Sequence, residues 1–312
     1  MQKRVVVTGI GMVTPLGLDT ATTWKSIKEG ISGIDHISGF DAEGFETRIA
    51  GEVQDFDPEA YMPRKEARHT DRFAQFAMAA AQEATAQANL VIGNGVPAER
   101  VGALVGSGIG GLGTLSEQYD VLKERGPNRV SPFLVPMMMV DMGSGKVSMM
   151  IGAKGPNFSP VSACASGADA IGVGFEMIRR NEIDVAVVGG SEACICPIGI
   201  AGFNAVGALS KNNDNPKGAS RPFDAQRDGF VPAEGAAILV LESEESALKR
   251  NVKPIAILAG YGATADAYHM TQPSPDGEGG ARAMSIALNK AGLTPADIGY
   301  INAHGTSTPL ND

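Results

Sequence analysis

One short pattern occurs twice in this chain, near its start and again near its end. Val5-Val-Val-Thr-Gly-Ile-Gly11 is an apolar run into a G-x-G turn, and Ile255-Ala-Ile-Leu-Ala-Gly-Tyr-Gly262 repeats it in kind. Apolar runs of this length closed by glycine turns predict buried strands. Farther on, Pro295–Gly305 (P-A-D-I-G-Y-I-N-A-H-G) matches Pro97–Gly108 (P-A-E-R-V-G-A-L-V-G-S-G) with one residue deleted, pairing Gly102 with Gly299 and Gly108 with Gly305. A strand-helix-strand unit used twice predicts an internally duplicated α/β protein. The first copy runs on from Gly108 to about Lys253, whereas only Thr306–Asp312 follow Gly305 in the second. By symmetry, residues 1–253 form one half, and residues 254–312 are the start of a second half that stops before it is built.

The 312 residues are enough for a large core and about two domains. Forty glycines against five tyrosines and one tryptophan fit the tight turns and close packing of layered α/β folds, and argue against an aromatic binding platform. The net charge of −9 disfavours nucleic acid as a partner. A local basic patch could still meet an acidic protein, because charges beyond roughly 8 Å are screened. Three cysteines do not make a disulfide framework, so a reducing, cytoplasmic setting is expected. Gly9, Gly11 and Pro15 break the apolar start, which therefore reads as a strand and turn and not as a signal peptide. No stretch reaches the ~18 apolar residues of a membrane span.

Between the repeats the chain alternates strands and helices. A helix is expected around Thr22–Lys28, and a long one from Arg68 to Leu90 with Phe73, Phe76, Ala77, Ala80 and Ala84 turned inward at helical spacing. Buried strands are expected at Val101–Gly106, Ile183–Gly190 and Gly235–Glu242, and Asn204–Glu234 should be mostly loop. Pro132–Ile151 carries six methionines and reads as a Met-rich core or interface helix; a deformable wall for an aliphatic ligand is the sharper alternative.

The chemistry concentrates at Asn157–Glu192. An extended segment ends at Cys164, where a helix begins whose only polar side chains up to Ile178 are Ser166, Asp169 and Glu176. Such a helix lacks a solvated face and should be buried all round. A thiol in its first turn meets unpaired N–H groups and the positive end of the helix dipole, which favour the anion. Cys164 thus reads as a nucleophile.

Other motifs carry less. Gly106-x-Gly108-x-x-Gly111 has dinucleotide-binding spacing but lacks the acidic residue about twenty positions on, so a tight turn packed on the sheet is the better reading. Gly145-Lys146 is followed by Val147 where a phosphate loop needs Ser or Thr. Cys194 and Cys196 form a C-x-C with no second pair, which reads as buried inert thiols and not a metal site. No metal or cofactor is therefore expected. His36 and His69 read as surface or packing residues, while His269 and His304 lie beyond strand ends, where open α/β sheets bind ligands.

Four stretches together carry a resemblance: V-S-A-C-A-S-G around Cys164, R-D-G-F-V-P-A-E-G-A over Arg227–Ala236, D-A-Y-H-M-T over Asp266–Thr271 and N-A-H-G-T-S-T-P over Asn302–Pro309. From Val5 to its end the chain resembles the β-ketoacyl-[acyl-carrier-protein] synthases, in particular the elongating condensing enzymes of bacterial fatty-acid synthesis. The resemblance implies the thiolase-like fold, a duplicated five-layer αβαβα sandwich, usually as a homodimer. It implies that Cys164 takes an acyl group from an acyl carrier protein as a thioester, and that a malonyl-carrier then loses CO2 and attacks that thioester. His304 would stabilise the decarboxylation, and the Cys164 N–H would form half of an oxyanion hole. Thr271, Thr306 and Thr308 would line the pantetheine tunnel, Ile109 and Phe203 would border the acyl pocket, and Arg64, Lys65 and Arg68 would form the carrier-docking patch. The family's second catalytic His, its Lys and a loop with a gating Phe fall beyond Asp312, so a complete Cys-His-His site is not expected within these residues. A non-catalytic partner of the chain-length-factor type and a thiolase acting on acyl-CoA are the competing readings.

Overall fold

A computed structural model describes residues 2–93 and 95–312. Its centre is a five-stranded mixed sheet made of β1 (Val5–Val13), β2 (Val101–Gly106), β3 (Val185–Glu192), β4 (Gly235–Ser243) and β5 (Ala256–Leu258), in the order β2-β3-β4-β1-β5. The β2/β3 pair is parallel and the other three pairs are antiparallel. The inner strands read as unbroken apolar runs because both faces are covered. Val185 and Val187 of β3 join the core on one face, and Ala186 and Val188 join the core on the other.

On the first face lie α1 (Arg72–Gln87) and α2 (Met142–Ile151). The Asp71 carboxylate caps α1 by accepting from the Phe73 N–H at 3.2 Å. The inward set expected from the sequence, Phe73, Phe76, Ala77, Ala80 and Ala84, is fully buried, and each phenylalanine contributes roughly 1.5–3 kcal/mol. The alanines leave room for β1. A Cβ at Gly9 would lie 2.0 Å from the Ala84 carbonyl oxygen, and one at Gly11 would lie 1.9 Å from that of Ala80. On the second face lies α3 (Ser166–Arg179).

The duplication is visible in packing. After β5, Gly260 and Gly262 meet α4 (Glu278–Ala291) as Gly9 and Gly11 meet α1: their Cβ atoms would lie 2.2 Å from the Ala287 oxygen and 2.1 Å from the Ala283 oxygen. Both copies thus press a G-x-G onto two helix carbonyls four residues apart.

Three expectations need correction. The repeat strand at 255–262 is not buried. Only Ala256–Leu258 pairs, as the sheet edge beside β1, and Ile257 is half exposed. Ile298–Ala303, the counterpart of β2, forms no strand, and Tyr300 and Ile301 face solvent, because no neighbouring strand among the described residues offers a ladder. The Met-rich stretch is not one helix either. It breaks into Leu134–Met138 and α2, with Gly143, Ser144 and Val147 facing inward and Met149 outward.

Candidate active site

The turn carrying Cys164 sits past the carboxyl ends of the parallel pair. A Cβ at Gly106, the last residue of β2, would fall 2.2 Å from the Ser166 carbonyl oxygen, and a Cβ at Gly190 of β3 would fall 3.1 Å from the Gly167 Cα. Only glycine at these places lets the first turn of α3 rest on the strand ends. Gly106-x-Gly108-x-x-Gly111 is thus the tight packing turn expected.

Cys164 itself is exposed and lies in a 3-10 turn, Ala163–Ala165, one step before α3. Ala163 has φ 52°, a left-handed conformation that costs a residue with a Cβ on the order of 1 kcal/mol. A dense set of bonds offsets that cost. The Ala165 N–H donates to the Ser162 carbonyl at 3.0 Å, the Ser166 hydroxyl donates to the Ala163 carbonyl at 2.7 Å, and the Ser162 N–H donates to Ser166 Oγ at 2.9 Å. Ser162 Oγ donates to the Asp169 carboxylate, whose other oxygen accepts from the Tyr261 hydroxyl at 2.7 Å.

The helix expected to begin at Cys164 and to be buried all round therefore begins at Ser166 and is buried on one face only. Ala170, Gly174, Phe175 and Ile178 pack inward, while Ile171, Val173 and Met177 are only partly buried. The outer face receives Tyr261, whose ring lies against Gly172, and Lys290, which donates to Glu176 at 2.7 Å. A Cβ at Gly172 would come within 2.2 Å of the Tyr261 ring.

Beside this turn runs the loop that holds Ile109. Glu192, at the end of β3, accepts from the Ser107 hydroxyl at 3.0 Å and from the Gly108 and Ile109 N–H groups at 2.8 and 3.1 Å. Burial pushes its carboxyl above the ordinary range, against the pull of these donors. A Cβ at Gly108 would lie 3.6 Å from the Ala163 Cα, so the Ile109 loop and the Cys164 turn are neighbours.

The second-half segment 302–309 docks on a loop of the first half. Ser307 is fully buried with φ 64°; its carbonyl accepts from the Gly229 N–H at 2.9 Å and its hydroxyl from the Arg221 N–H at 3.1 Å. Arg227 Nε donates to the Thr308 carbonyl at 3.1 Å. The motifs R-D-G-F-V-P-A-E-G-A and N-A-H-G-T-S-T-P, separate in sequence, thus form one unit, with the Thr306 and Thr308 hydroxyls 2.8 Å apart. His304 and Thr271 are exposed, and among the described residues no hydrogen bond joins either to the Cys164 turn. In the loop before α4, His269 Nδ1 accepts from the Thr271 and Gln272 N–H groups, both at 3.1 Å.

Phe203 lies in the helix Pro197–Val206 and packs edge-on to Phe230 at 5.4 Å. Arg64, Lys65 and Arg68 are exposed on and just after the short helix Arg64–Ala67, with Glu59 3.4 Å from Arg64. His69 stacks on Phe133 at 3.7 Å, the packing role expected. Cys194 is buried, and burial pushes its thiol up to about 12, so it is inert near neutral pH. Three groups that matter here carry no motif signal: Glu192, Asp169 and Tyr261. The nearest hint is that Asp169 and Glu192 are acidic residues in otherwise apolar elements, where each must find donors.

The family model for the beta-ketoacyl synthase N-terminal domain matches residues 2–247, and that for the C-terminal domain matches residues 255–312. A 3-oxoacyl-[acyl-carrier-protein] synthase 2 of Staphylococcus aureus is 50% identical over 99% of this chain and 74% of its own length. One of Synechocystis is 49% identical over 100% of this chain and 74% of its own. A crystal structure of a beta-ketoacyl synthase from Burkholderia phymatum superposes with a TM-score of 0.91 at 36% identity, covering 99% of this chain and 76% of that one. An ishigamide ketosynthase/chain length factor superposes at 0.90 with 33% identity, covering 100% and 75%. The architecture is therefore the thiolase-like one of the ketosynthases, and the chain spans about three quarters of the length of these relatives. By both halves of its sequence and by its fold, the chain belongs to the beta-ketoacyl synthase family.

Proposed function

We propose that this chain carries the nucleophile of a decarboxylative condensation in fatty-acid elongation, with acyl carrier protein as the donor of both acyl groups. The observation that carries the reading is an exposed thiol, Cys164, in a tightly bonded turn at the start of α3, over the strand ends of a ketosynthase fold. The Cys164 thiolate attacks the acyl-carrier thioester carbonyl, and the carrier thiol leaves with the proton. The malonyl thioester then loses CO2, and its electron pair attacks the Cys164 thioester carbon, expelling the thiolate. Negative charge develops on the malonyl thioester oxygen during decarboxylation, where a neutral His304 donating an N–H bond would lower the barrier. The Cys164 N–H would serve the oxyanion of acyl transfer. Ile109 and Phe203 would bound the acyl pocket, and Thr271, Thr306 and Thr308 the approach of the pantetheine arm. Residues 1–253 and 254–312 would act as the two halves of the fold.

Arg64, Lys65 and Arg68 would receive the acidic carrier. A solved type II PKS acyl-carrier protein in complex with its ketosynthase, TM-score 0.88 and 33% identity over all of this chain, supports that kind of partner. Self-association as a homodimer is supported by Leu115, Tyr119 and Leu122, exposed apolar residues at helical spacing on the helix Leu112–Arg125. No helix among the described residues is long and apolar enough to cross a membrane. The similarity to fatty-acid elongation synthases supports a cytoplasmic site of action.

The test is the first half-reaction. Incubation with acyl-carrier protein should add one acyl mass to the chain, at Cys164, and Cys164→Ala should abolish it. Carrier binding without acylation of Cys164 would overturn the reading in favour of a non-catalytic partner of the chain-length-factor type, an alternative that the ketosynthase/chain length factor neighbour keeps in play.

A further inference from the structure

The Cys164 turn is tied to the second half of the chain by a hydrogen-bonded path that no motif contains. Tyr261, in the G-x-G turn after β5, donates its hydroxyl to one oxygen of Asp169 at 2.7 Å. Asp169, in the first turn of α3, takes the Ser162 hydroxyl on its other oxygen. Ser162 supplies the carbonyl that closes the 3-10 turn and the N–H that holds Ser166, whose hydroxyl in turn holds the strained Ala163. The Tyr261 ring is set against α3 by Gly172 and covered by the Lys290 ammonium, 5.6 Å from the ring centroid. Beyond the Ala165–Ser162 closure, the bonds around Ala163 run through Ser166 and Asp169, and among the described residues the hydrogen bond that Asp169 takes from outside the first half comes from Tyr261.

We propose that Tyr261 and Asp169 are positioning residues for Cys164: the second half of the fold, through Tyr261, holds the carboxylate that keeps the Ser162–Cys164 turn in its strained, reactive form. The proposal rests on the reading of Cys164 as the nucleophile. Cys164 is exposed, so access does not limit its reaction with a small reagent. What the turn supplies is alignment of the sulfur with the start of α3, and loosening the turn should slow the thiol while speeding amide exchange around it.

The full chain can be compared with Tyr261→Phe, Asp169→Asn and the double variant. The readouts are alkylation of Cys164 by iodoacetamide at one fixed pH and hydrogen exchange of the peptide spanning residues 160–167. Each single variant is expected to slow alkylation at least about threefold and to speed exchange, and the double variant is expected to be no worse than the weaker single, because residues in one network couple. Ser162→Ala should reproduce the loss, and Ser162→Thr, which keeps the hydroxyl, should restore it; a role confined to general stability would not separate these two. Should Tyr261→Phe perturb folding, Gly172→Ala displaces the same ring from the other side and should give the same alkylation defect. Unchanged alkylation and exchange in Tyr261→Phe, or strictly additive effects in the double variant, would overturn the proposal. These readouts need no carrier protein, so a failure of the proposed condensation chemistry would leave their outcome interpretable.

Discussion

At the scale of single residues, the environments of two acids and two thiols differ enough to be measured. Cys164 is exposed at a helix start, and Cys194 is buried with its thiol pushed up to about 12, burial being the main cause. Iodoacetamide near neutral pH should therefore modify Cys164 and leave Cys194 unlabelled in the folded chain, as peptide mass analysis will report; labelling of Cys194 at a comparable rate would contradict the buried environment. The acids Glu192 and Asp184 should respond to pH with opposite signs. Burial raises the Glu192 carboxyl, so its contribution to stability is full below the ordinary glutamate value and is lost as pH rises through the raised value. Asp184 is lowered to about 2, first by its hydrogen bond from Arg100 and then by that from Lys3. Its stabilisation is present above the unfolded value of about 3.9 and lost as pH falls through the folded one. Urea midpoints for Asp184→Asn should converge on those of the parent between about pH 4 and pH 2, from a deficit near 1 kcal/mol after solvent screening. Glu192→Gln should instead flatten the loss of stability as pH rises above the ordinary glutamate range.

At the scale of elements, the fold is held by close backbone approach and by one buried ion pair. Gly9 lies so near the Ala84 carbonyl of α1 that a methyl group cannot enter without shifting helix from sheet. Gly9→Ala should cost at least about 1–3 kcal/mol in chemical denaturation, the range for overpacking a core, although alanine lowers the entropy of the unfolded chain. Glu242 on β4 has a fully buried side chain and accepts from Arg250 at 2.8 and 3.1 Å, from Thr8 at 2.6 Å and from Ser246 at 3.1 Å. Arg250 also donates to the Ala88 and Asn89 carbonyls at the end of α1, both at 2.7 Å, joining strand, helix and the following turn. Arg250→Met removes the countercharge and leaves a buried carboxylate, a loss on the order of 3–5 kcal/mol. An unfolding midpoint close to the parent's would show that the pair contributes little.

At the scale of the whole molecule, the first half is layered on both faces of its sheet while the second is sparsely covered. Tyr268 and Met270 face solvent in the loop before α4, as do Tyr300 and Ile301 after it. Regions with few buried contacts open at low free energy. Limited proteolysis should cut first within residues 266–275 and 298–304, and leave a resistant fragment of the first half; early cleavage inside β3 or β4 would contradict this layering. The docking surface belongs to this scale too. Arg68→Glu in a catalytically competent synthase carrying this patch should raise KM for the carrier with little change in kcat, and an unchanged KM would remove the patch from the carrier's path.

The sequence by itself determined what depends on local pattern and chemistry. The inward residues of α1, the four strands at their places and the repeated G-x-G are all legible, because burial imposes periodicity and close backbone approach imposes glycine. The tertiary structure decided what depends on partners distant in the chain. Whether 255–262 is an inner or an edge strand is set by neighbours, since a strand exists only where another offers hydrogen bonds. The same holds at the site. Nothing in the string of residues 157–192 tells that Asp169 takes a hydroxyl from Tyr261, 92 positions away, or that Glu192 reaches back to Gly108 and Ile109. Sequence can name an acid in an apolar element, but only the packing of sheet, helix and second half says which donors satisfy it.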